Sequence, residues 1–253
     1  MSFFNDISKL PHNLKSNYIF EAIIELRYQT SVPIELVTVK LSEALGSEYK
    51  HPIKIFEVPE IVRKNIPDSN NAICYIIRNA HKFFTIGIGS GLISLKITNF
   101  SYGTWKVFID EFKKIYEKIS SFVTQSEQIG VRYINVFNGN VLPDLDVDIN
   151  ISSEKIIDKP LVLSWQIEEK KRIIKSSVAT KTLINYADFE TGENKTIKDA
   201  SVFDIDCIYR DIEGIKTDIF KEIEINHDMV KGLFFGVCKK DFVENKLVPI
   251  DGE

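Results

Sequence analysis

Three residues in the middle of the chain are of the types that a metal-dependent nuclease uses. Asp144 follows Pro143, and Glu168 lies two positions before Lys170 in a β-rich run. Two carboxylates can hold Mg²⁺ and a lysine can position the attacking water, so this is the loose pattern of such enzymes. The pattern also arises by chance in a chain rich in these residue types. A Mg²⁺-dependent nuclease using Asp144, Glu168 and Lys170 is therefore the alternative function.

Other catalytic and metal-binding patterns fail at specific positions. The run Gly87–Gly91 resembles a phosphate-binding loop, but a β-rich run follows it where such loops need a helix, so we expect a glycine hairpin. Three alternating aspartates from Asp144 open like a calcium loop, but Ile149 and Lys155 replace its Gly and Glu. The four histidines share no metal-ligand spacing, and no serine or cysteine nucleophile motif is present. No cofactor is expected, and a non-enzymatic role is favoured.

The densest group of basic residues lies in a segment that is otherwise typical of strands. Such a cluster can bind nucleic acid through phosphate contacts. It is also typical of a solvated outer sheet face, or of an edge strand protected by lysines. The cluster consists of Lys170, Lys171, Arg172, Lys175 and Lys181.

The composition is that of a soluble, folded protein. Hydrophobic residues make up 44% of the chain and charged residues 27%, which favours a packed core over disorder. A formal net charge of −4 creates no broad cationic field for nucleic acid. The sequence shows no signal-peptide pattern, no membrane-spanning apolar stretch and no C-x-x-C pair among its three cysteines. We therefore expect a cytoplasmic protein with no membrane partner.

Strands and helices alternate in the first half of the chain. The segment from Tyr18 to Gln29 alternates apolar and polar residues, which predicts a half-buried strand. Pro33 then begins a predicted helix that stops at Gly46. The segment from Tyr102 to Val123 has the periodicity of an amphipathic helix, and alternation from Gln128 to Phe137 predicts another strand.

Between these two helices, four β-rich runs separated by short breaks predict an antiparallel meander. The resulting order, β, α, several β, α, β, predicts a ferredoxin-like split βαβ half with extra hairpin strands. The four runs are Ile53 to Val62, Ala72 to Asn79, Phe83 to Ile88 and Leu92 to Thr98.

The second half is predicted to be an antiparallel sheet closed by a C-terminal helix. A boundary segment from Asn138 to Lys159 contains turn-forming residues and divides the chain into residues 1–140 and 141–253, which can share one core. The helix is expected from about His227 to Asn245, with Asn226 as its N-cap. The fold class is thus α+β with mostly antiparallel sheets. The predicted strands of this half are Leu161 to Glu168, Arg172 to Tyr186 and Thr196 to Arg210.

Several short motifs resemble those of an uncharacterised prokaryotic family. Glu127–Asn135 is similar to the family's G-[LV]-R-Y-[IV]-N strand, and Glu25–Tyr28 is similar to its E-L-R-[FY] strand. Tyr102 and Trp105 resemble the Tyr and Trp that begin its middle helix, and His227–Phe242 resembles its C-terminal helix. The family is scattered sporadically among bacteria and archaea, as mobile or defence-associated genes are. The resemblance therefore implies a role in conflict with phages or plasmids, and it implies no particular reaction.

The charged residues of these strand motifs are candidate binding residues. In a split βαβ sheet the first and last strands are antiparallel neighbours, so Glu21 or Glu25 is expected to form a cross-strand ion pair with Arg132. Alternatively, these charges are only solvated. The charges are expected on the sheet face away from Tyr133. If the second half covers that face, Arg27, Arg132 and Asn135 become candidates for an anion or partner site, because a buried arginine needs an acceptor.

The predicted function is a non-enzymatic binding or regulatory module that acts through protein–protein contacts. The family resemblance suggests an accessory or sensor component of a phage-defence or toxin-linked system. The hypothesis depends on well-defined packing faces in a chain whose sequence contains no assembled catalytic set. Nucleic-acid binding through the basic cluster is a third hypothesis.

Overall fold

One nine-stranded antiparallel sheet organises the chain. The computed structural model describes residues 17–55, 72–79, 83–147, 150–151, 154–155, 159–188, 191–211, 214–215 and 218–247. The predicted strand beyond residue 55 and the aspartate Asp148 lie outside the described residues. The strands are β1 (Ile19–Gln29), β2 (Ile53–Lys54), β3 (Ile73–Arg78), β4 (Phe84–Gly89), β5 (Leu92–Thr98), β6 (Gln125–Phe137), β7 (Asn150–Ile151), β8 (Glu154–Lys155), β9 (Val162–Glu169), β10 (Arg172–Ala187) and β11 (Asn194–Arg210).

The helices of the described residues pack against one face of this sheet and form the core with it. None of them is long and apolar enough to cross a membrane. Strands and helices together confirm the predicted α+β class. The helices are α1 (Ile34–Leu45), α2 (Trp105–Ile119), α3 (Ile219–Val237) and the short α4 (Lys240–Phe242), which continues as a π-helical turn (Val243–Leu247).

The strand order confirms the ferredoxin-like arrangement of the first half. The nine strands lie in the order β2-β3-β4-β5-β1-β6-β11-β10-β9. Both β5 and β6 are antiparallel to β1, which lies between them, so β5 and β6 are parallel strands joined by α2. A second unit of the same kind joins β1 through α1 to β4, with β5 between them. These are two interlocked split βαβ units, with β2 and β3 as additional strands beyond β4.

Local sequence signals explain where most helices begin and end. The Thr104 hydroxyl accepts a hydrogen bond from the Val107 amide at 3.4 Å and caps α2. Gly46, with a φ of 62°, ends α1, as predicted. The predicted start of the C-terminal helix is wrong: α3 begins at Ile219 and Asp218 caps it by accepting from the Phe220 amide at 2.9 Å.

Both halves of the sequence contribute strands to the same sheet. Strand β6 of the first half pairs with β11 of the second from Phe137 and Ser201 to Gln128 and Arg210. Buried residues of both halves belong to one hydrophobic cluster. The division into residues 1–140 and 141–253 stays a prediction about the chain's organisation.

The distal parts of β10 and β11 extend past their neighbours as a two-stranded arm. Pairing with β9 ends at Ala179, whereas β10 and β11 stay paired to Ala187 and Asn194. Lys181 and Asp199 both have a φ of 54°, in the left-handed region, where the register of the two strands shifts. The bent arm reaches β1 and the end of β5, where the Tyr186 ring meets the rings of Phe20 and Phe100, 5.9 and 5.6 Å away between centroids.

Candidate functional site

Side chains alternate between the two faces of the sheet along each strand, and only one of these faces is covered by helices in the described part of the chain. In β1, Ala22, Ile24 and Leu26 are fully buried under the helices, while the intervening Glu21 and Glu25 point the other way. No helix of the described residues packs on that second side, which carries none of the core cluster. The open face is defined here as this side of β1, β6, β11, β10 and β9.

A polar cleft of about 550 Å³ lies on the open face where β6, β11, β10 and β9 run side by side. The register places Asp206 of β11 directly between Arg132 of β6 and Lys175 of β10. Hydroxyl and amide side chains of β10 and β9 continue the polar surface towards the sheet edge. The cleft is lined by Arg132, Ser164, Trp165, Gln166, Lys175, Ser176, Ser177, Asp204 and Asp206.

Arg132 forms a two-pronged salt bridge with Asp204 in this cleft. Its Nε donates to Oδ1 at 2.8 Å and its Nη2 donates to Oδ2 at 2.5 Å. The predicted pair with Glu21 or Glu25 is wrong, because the register places Ile23 opposite Arg132 and Gly130 opposite Glu25. Glu25 instead accepts from the Nε of Arg27 at 2.9 Å. The arginine is thus held in a fixed orientation at the cleft wall.

Asp206 is the unmatched acid of the cleft, in the sense that it forms no salt bridge with any described residue. Its carboxylate is partly buried and makes no hydrogen bond with any described residue. Burial raises the pKa of Asp206 to about 6. The charge of Arg132 lowers this pKa, the charges of Asp204 and Glu25 raise it, and the charge of Lys175 also lowers it. The neighbouring Arg132 is already committed to Asp204. A ligand that brings a positive charge would therefore find an accepting carboxylate.

The backbone beside Asp206 leaves room for such a ligand. Gly130 of β6 lies between Asp206 and Glu25, and a methyl group at this glycine would be 3.8 Å from the Asp206 Oδ1 and 3.9 Å from the Glu25 Cβ. Both are ordinary contact distances, so the missing side chain opens space between two acidic groups. On the other side of Asp206, the Lys175 side chain is exposed and forms no ion pair with the described residues.

We expect Asp206→Asn to stabilise the protein at pH 7 by about 1–2 kcal/mol. Folding raises the pKa of this carboxyl from 3.8 to about 6. The protonated carboxyl therefore contributes its full stabilisation below pH 3.8, and this stabilisation is lost as pH rises through about 6. The asparagine stays neutral, so the gain over the native protein should appear above pH 6 and vanish near pH 4. Urea unfolding at several pH values measures this difference.

Asp204→Asn is the matched control, two residues away on the same strand and face. It removes the charge that pairs with Arg132 and is expected to destabilise the protein at pH 7. A stabilisation by both asparagines, or by neither, would contradict the assignment of Asp206 as the unmatched group.

The other predicted binding residues do not join this cleft. Arg27 lies on the open face of β1, paired with Glu25. Asn135 lies on the covered face, where it is buried and donates its Nδ2 to the Phe203 carbonyl at 3.2 Å. Of the three residues predicted to bind an anion or a partner, Arg132 alone lines the cleft.

The residues of the nuclease hypothesis are not brought together. Asp144 lies beyond the end of β6 and accepts from the Lys246 Nζ at 3.0 and 3.1 Å. The strand registers align Glu168 with Gly130 of β6 across the sheet. Gly130 is seven residues from Phe137, the last residue of β6, so Glu168 lies about 23 Å from the end of β6 along the strand direction. Lys170 occupies the turn between β9 and β10 with a φ of 56°. Among the described residues, no three His, Cys, Asp or Glu side chains are grouped to hold a metal ion.

The basic cluster is also divided by the sheet. Lys175 faces the open side, whereas Arg172 points to the covered side and pairs with Glu222 of α3. Lys171 pairs with Asp211 at 2.6 Å. Lys170 and Lys181 lie about eleven residues apart along the chain, one in a turn and one at the bend of the arm. The five residues thus form no continuous basic surface.

The two aspartates of the cleft were not predicted from the sequence, although the sequence contains a signal for them. Asp204 and Asp206 alternate with buried Phe203, Ile205 and Cys207 along β11. Aspartate is unfavourable inside strands, so two of them in the interior of a long strand indicate a reason other than strand formation. Their partners could not be inferred, because Arg132 lies 72 residues away from Asp204 in the chain.

On the covered face, four residues from three motifs form a cluster in which Tyr133 is buried and the other three are half-buried. The His227 ring stacks on Trp105 with centroids 4.0 Å apart and planes inclined by 6°. The Tyr133 hydroxyl lies 3.0 Å from the His227 Nδ1 and 3.2 Å from the Tyr102 hydroxyl. The Trp105 Nε1 donates to Glu224 at 2.6 Å. This cluster joins α2, β6 and α3.

Tyr102, Trp105, Tyr133 and His227 belong to the segments that resemble the prokaryotic family, so these segments meet in space. Their contact has a structural explanation, since together these residues hold α2 and α3 to each other and to β6. The resemblance itself stays a prediction. Neither a protein-family model nor a curated protein matches the chain.

Proposed function

We propose that this chain is a non-enzymatic binding module, and that the cleft on its open face receives a basic side chain from a partner protein. The Asp206 carboxylate accepts the ammonium or guanidinium group of that side chain. The observation that carries the proposal is the position of Asp206, partly buried in a cleft and without a hydrogen bond to any described residue.

The neighbouring acids support this assignment because each has its own cation. On the open face, Glu21 pairs with Lys96 at 3.4 Å and Glu25 pairs with Arg27 at 2.9 Å. Asp204 pairs with Arg132. Leaving a carboxylate partly desolvated and unmatched costs stability, and such groups are concentrated at functional sites.

The shape of the cleft favours a protein partner. It lies on the surface of a sheet and is bounded by strands rather than enclosed by loops or helices of the described residues. Small-molecule sites commonly bury most of the ligand surface, which an open sheet face does not do. A side chain that projects from a partner surface needs to bury only its end. The Ser164, Ser177 and Gln166 side chains can form hydrogen bonds with polar groups of the partner around that side chain.

A short peptide with one arginine tests the proposal. We expect acetyl-Gly-Ser-Gly-Arg-Gly-Ser-Gly-amide to bind weakly, with a dissociation constant in about the millimolar range. Amide NMR shifts should change around Gly130, Lys175 and Asp206. The same peptide with citrulline, which has the shape of arginine without its charge, should bind about tenfold more weakly or worse, because a charge-assisted hydrogen bond is lost.

Two variants separate this site from general electrostatic attraction. Asp206→Asn should abolish the preference for arginine over citrulline. Glu168→Gln, which removes an open-face carboxylate that accepts from Gln166, should keep that preference. Equal binding of both peptides to the native protein would refute the proposed site.

The wider role, an accessory or sensor component of a phage-defence or toxin-linked system, is a proposal supported by the family resemblance alone. Purification of the tagged native chain from its own host, in parallel with the Asp206→Asn chain, tests it. The product of a neighbouring gene should co-purify with the native chain and be depleted with the variant. Equal recovery with both chains would place the contact outside the cleft.

A further inference from the structure

Strand β9 is a free edge of the nine-stranded sheet. All eight residues from Val162 to Glu169 pair with β10 without a register shift, so the strand is regular over its whole length. No strand of the described residues pairs with its outer side. An unpaired strand edge presents a row of N–H and C=O groups to another chain.

The outward-facing backbone groups can be assigned from the pairing. The Thr180 N–H donates to the Leu161 carbonyl at 2.9 Å, which makes the pair of Leu161 with Thr180 a hydrogen-bonded one. Hydrogen-bonded pairs alternate along an antiparallel ladder, so Trp165 also bonds inward to β10. The residues whose N–H and C=O point outward are therefore Val162, Ser164, Gln166 and Glu168.

The usual protections of an edge strand are missing from most of β9. Between Val162 and Ile167 there is no lysine, no proline and no bulge. The Val162 side chain is 72% exposed. Charge appears only at the end of the strand, at Glu168 and Glu169. A regular, uncharged edge of this length is a surface that a partner strand fits.

We propose that this partner is a second copy of the chain, joined along β9 in antiparallel orientation about a two-fold axis at Trp165. In this register Ser164 faces Gln166 of the second copy and Val162 faces its Glu168. The outward-bonding residues of each copy then face one another, which gives about eight hydrogen bonds between the chains. The inference is independent of the proposed function.

The side chains are complementary in the same register. Glu168 lies opposite Val162, so no two like charges are paired. On the covered side, Leu163 faces Ile167 of the other copy and the two Trp165 rings meet at the axis, where aromatic pairs are favourable. These three apolar side chains are only partly buried in one copy.

The helices leave room for this arrangement. Helix α3 packs on β6 and β11, away from the edge. In the pair of copies, the two β11 strands would be five strand spacings apart, about 24 Å. Because packed helices approach to about 8–10 Å, the helices of the two copies do not collide.

Sedimentation equilibrium tests the proposal. The native chain should have a mass near 58 kDa, twice 29.0 kDa. Gln166→Pro should be a monomer, because proline removes an outward N–H without breaking a bond to β10. Gln166→Thr, which keeps the N–H and favours strands, should stay a dimer. Circular dichroism should show the native fold for both variants.

Disulfide formation tests the register. Ser164→Cys and Gln166→Cys chains, mixed and then oxidised, should form a covalent dimer, and neither chain alone should form one efficiently. The three native cysteines are buried and do not compete. A monomeric native chain, or a Gln166→Pro chain that stays dimeric, would overturn the proposal. Crosslinking of the single variants as efficient as that of the mixture would overturn the register.

Discussion

Replacement of Glu222 by leucine is expected to lower the free energy of unfolding by about 3–5 kcal/mol. Glu222 and Arg172 form a salt bridge on the covered face, between α3 and β10, with side chains only 8% and 16% exposed. Removing the carboxylate leaves the guanidinium partly buried without its charged acceptor. The penalty is large because a desolvated charge has lost its hydration and now also loses its counterion.

The surrounding network explains why the pair fixes the helix. The Arg172 Nε donates to the Asn226 Oδ1 at 3.2 Å, and its guanidinium lies 4.7 Å from the centre of the Tyr209 ring. Asn226 in turn donates to the carbonyls of Ile129 at 3.1 Å and Cys207 at 3.2 Å. These bonds hold α3 to β6, β11 and β10 at once.

Guanidinium chloride unfolding of three variants measures the effect. Glu222→Leu and Arg172→Leu should each be strongly destabilised. The double variant should lose less than the sum of the two, because it contains no unpaired charge. Additive losses would show that the two side chains act independently, which the structure does not predict.

Acidification from pH 6.5 to 4 is expected to remove about 3 kcal/mol of stability through His227 alone. Burial, assisted by the charge of Lys231, lowers the pKa of His227 to about 3 in the folded protein. The unfolded chain takes up a proton near pH 6.5, whereas the folded chain does not. The stabilisation is therefore complete above pH 6.5 and is lost progressively as pH falls towards 3.

The hydrogen-bonding contact of His227 suits its neutral form. Its ring is stacked on Trp105, and its Nδ1 faces the Tyr133 hydroxyl, which burial keeps protonated by raising the pKa of Tyr133. A neutral imidazole can accept this proton at Nδ1, whereas an imidazolium cannot. Glu224 and Asp228 are the acids on the same helix; Glu224 is bound to Trp105, and burial raises the pKa of Asp228.

Comparison with His227→Gln isolates this effect from the titration of other groups. Glutamine keeps a hydrogen-bond acceptor but does not titrate in this range. The stability advantage of the native protein over the variant should shrink by about 3 kcal/mol between pH 6.5 and 4, as measured by urea unfolding. A difference that is constant across these pH values would contradict a neutral, buried His227.

The elements of the fold could be predicted where local periodicity decides the structure. Strand β1 alternates, α2 has an amphipathic stripe, and Gly46 ends α1. The start of α3 was missed because Asn226 has the type of an N-cap, yet it lies buried inside the helix and bonds to the sheet. Asparagine is a rare choice there, and only tertiary contacts explain it.

The site could be predicted only in part, because its residues meet through non-local pairing. Arg132 was identified as a charged residue on the face away from Tyr133, and that placement is confirmed. Its partner Asp204 was not identified, because the sequence does not reveal that β11 lies beside β6. The unmatched charge of Asp206 depends on this same neighbour relation.

The most direct test of the account is the titration of the Asp206 carboxyl carbon by NMR. The free protein should show a pKa of about 6 for this group. Addition of the arginine peptide should lower that pKa, because the bound guanidinium favours the carboxylate, and the citrulline peptide should leave it unchanged. A pKa near 3.8 in the free protein, or one that both peptides leave unchanged, would contradict the account.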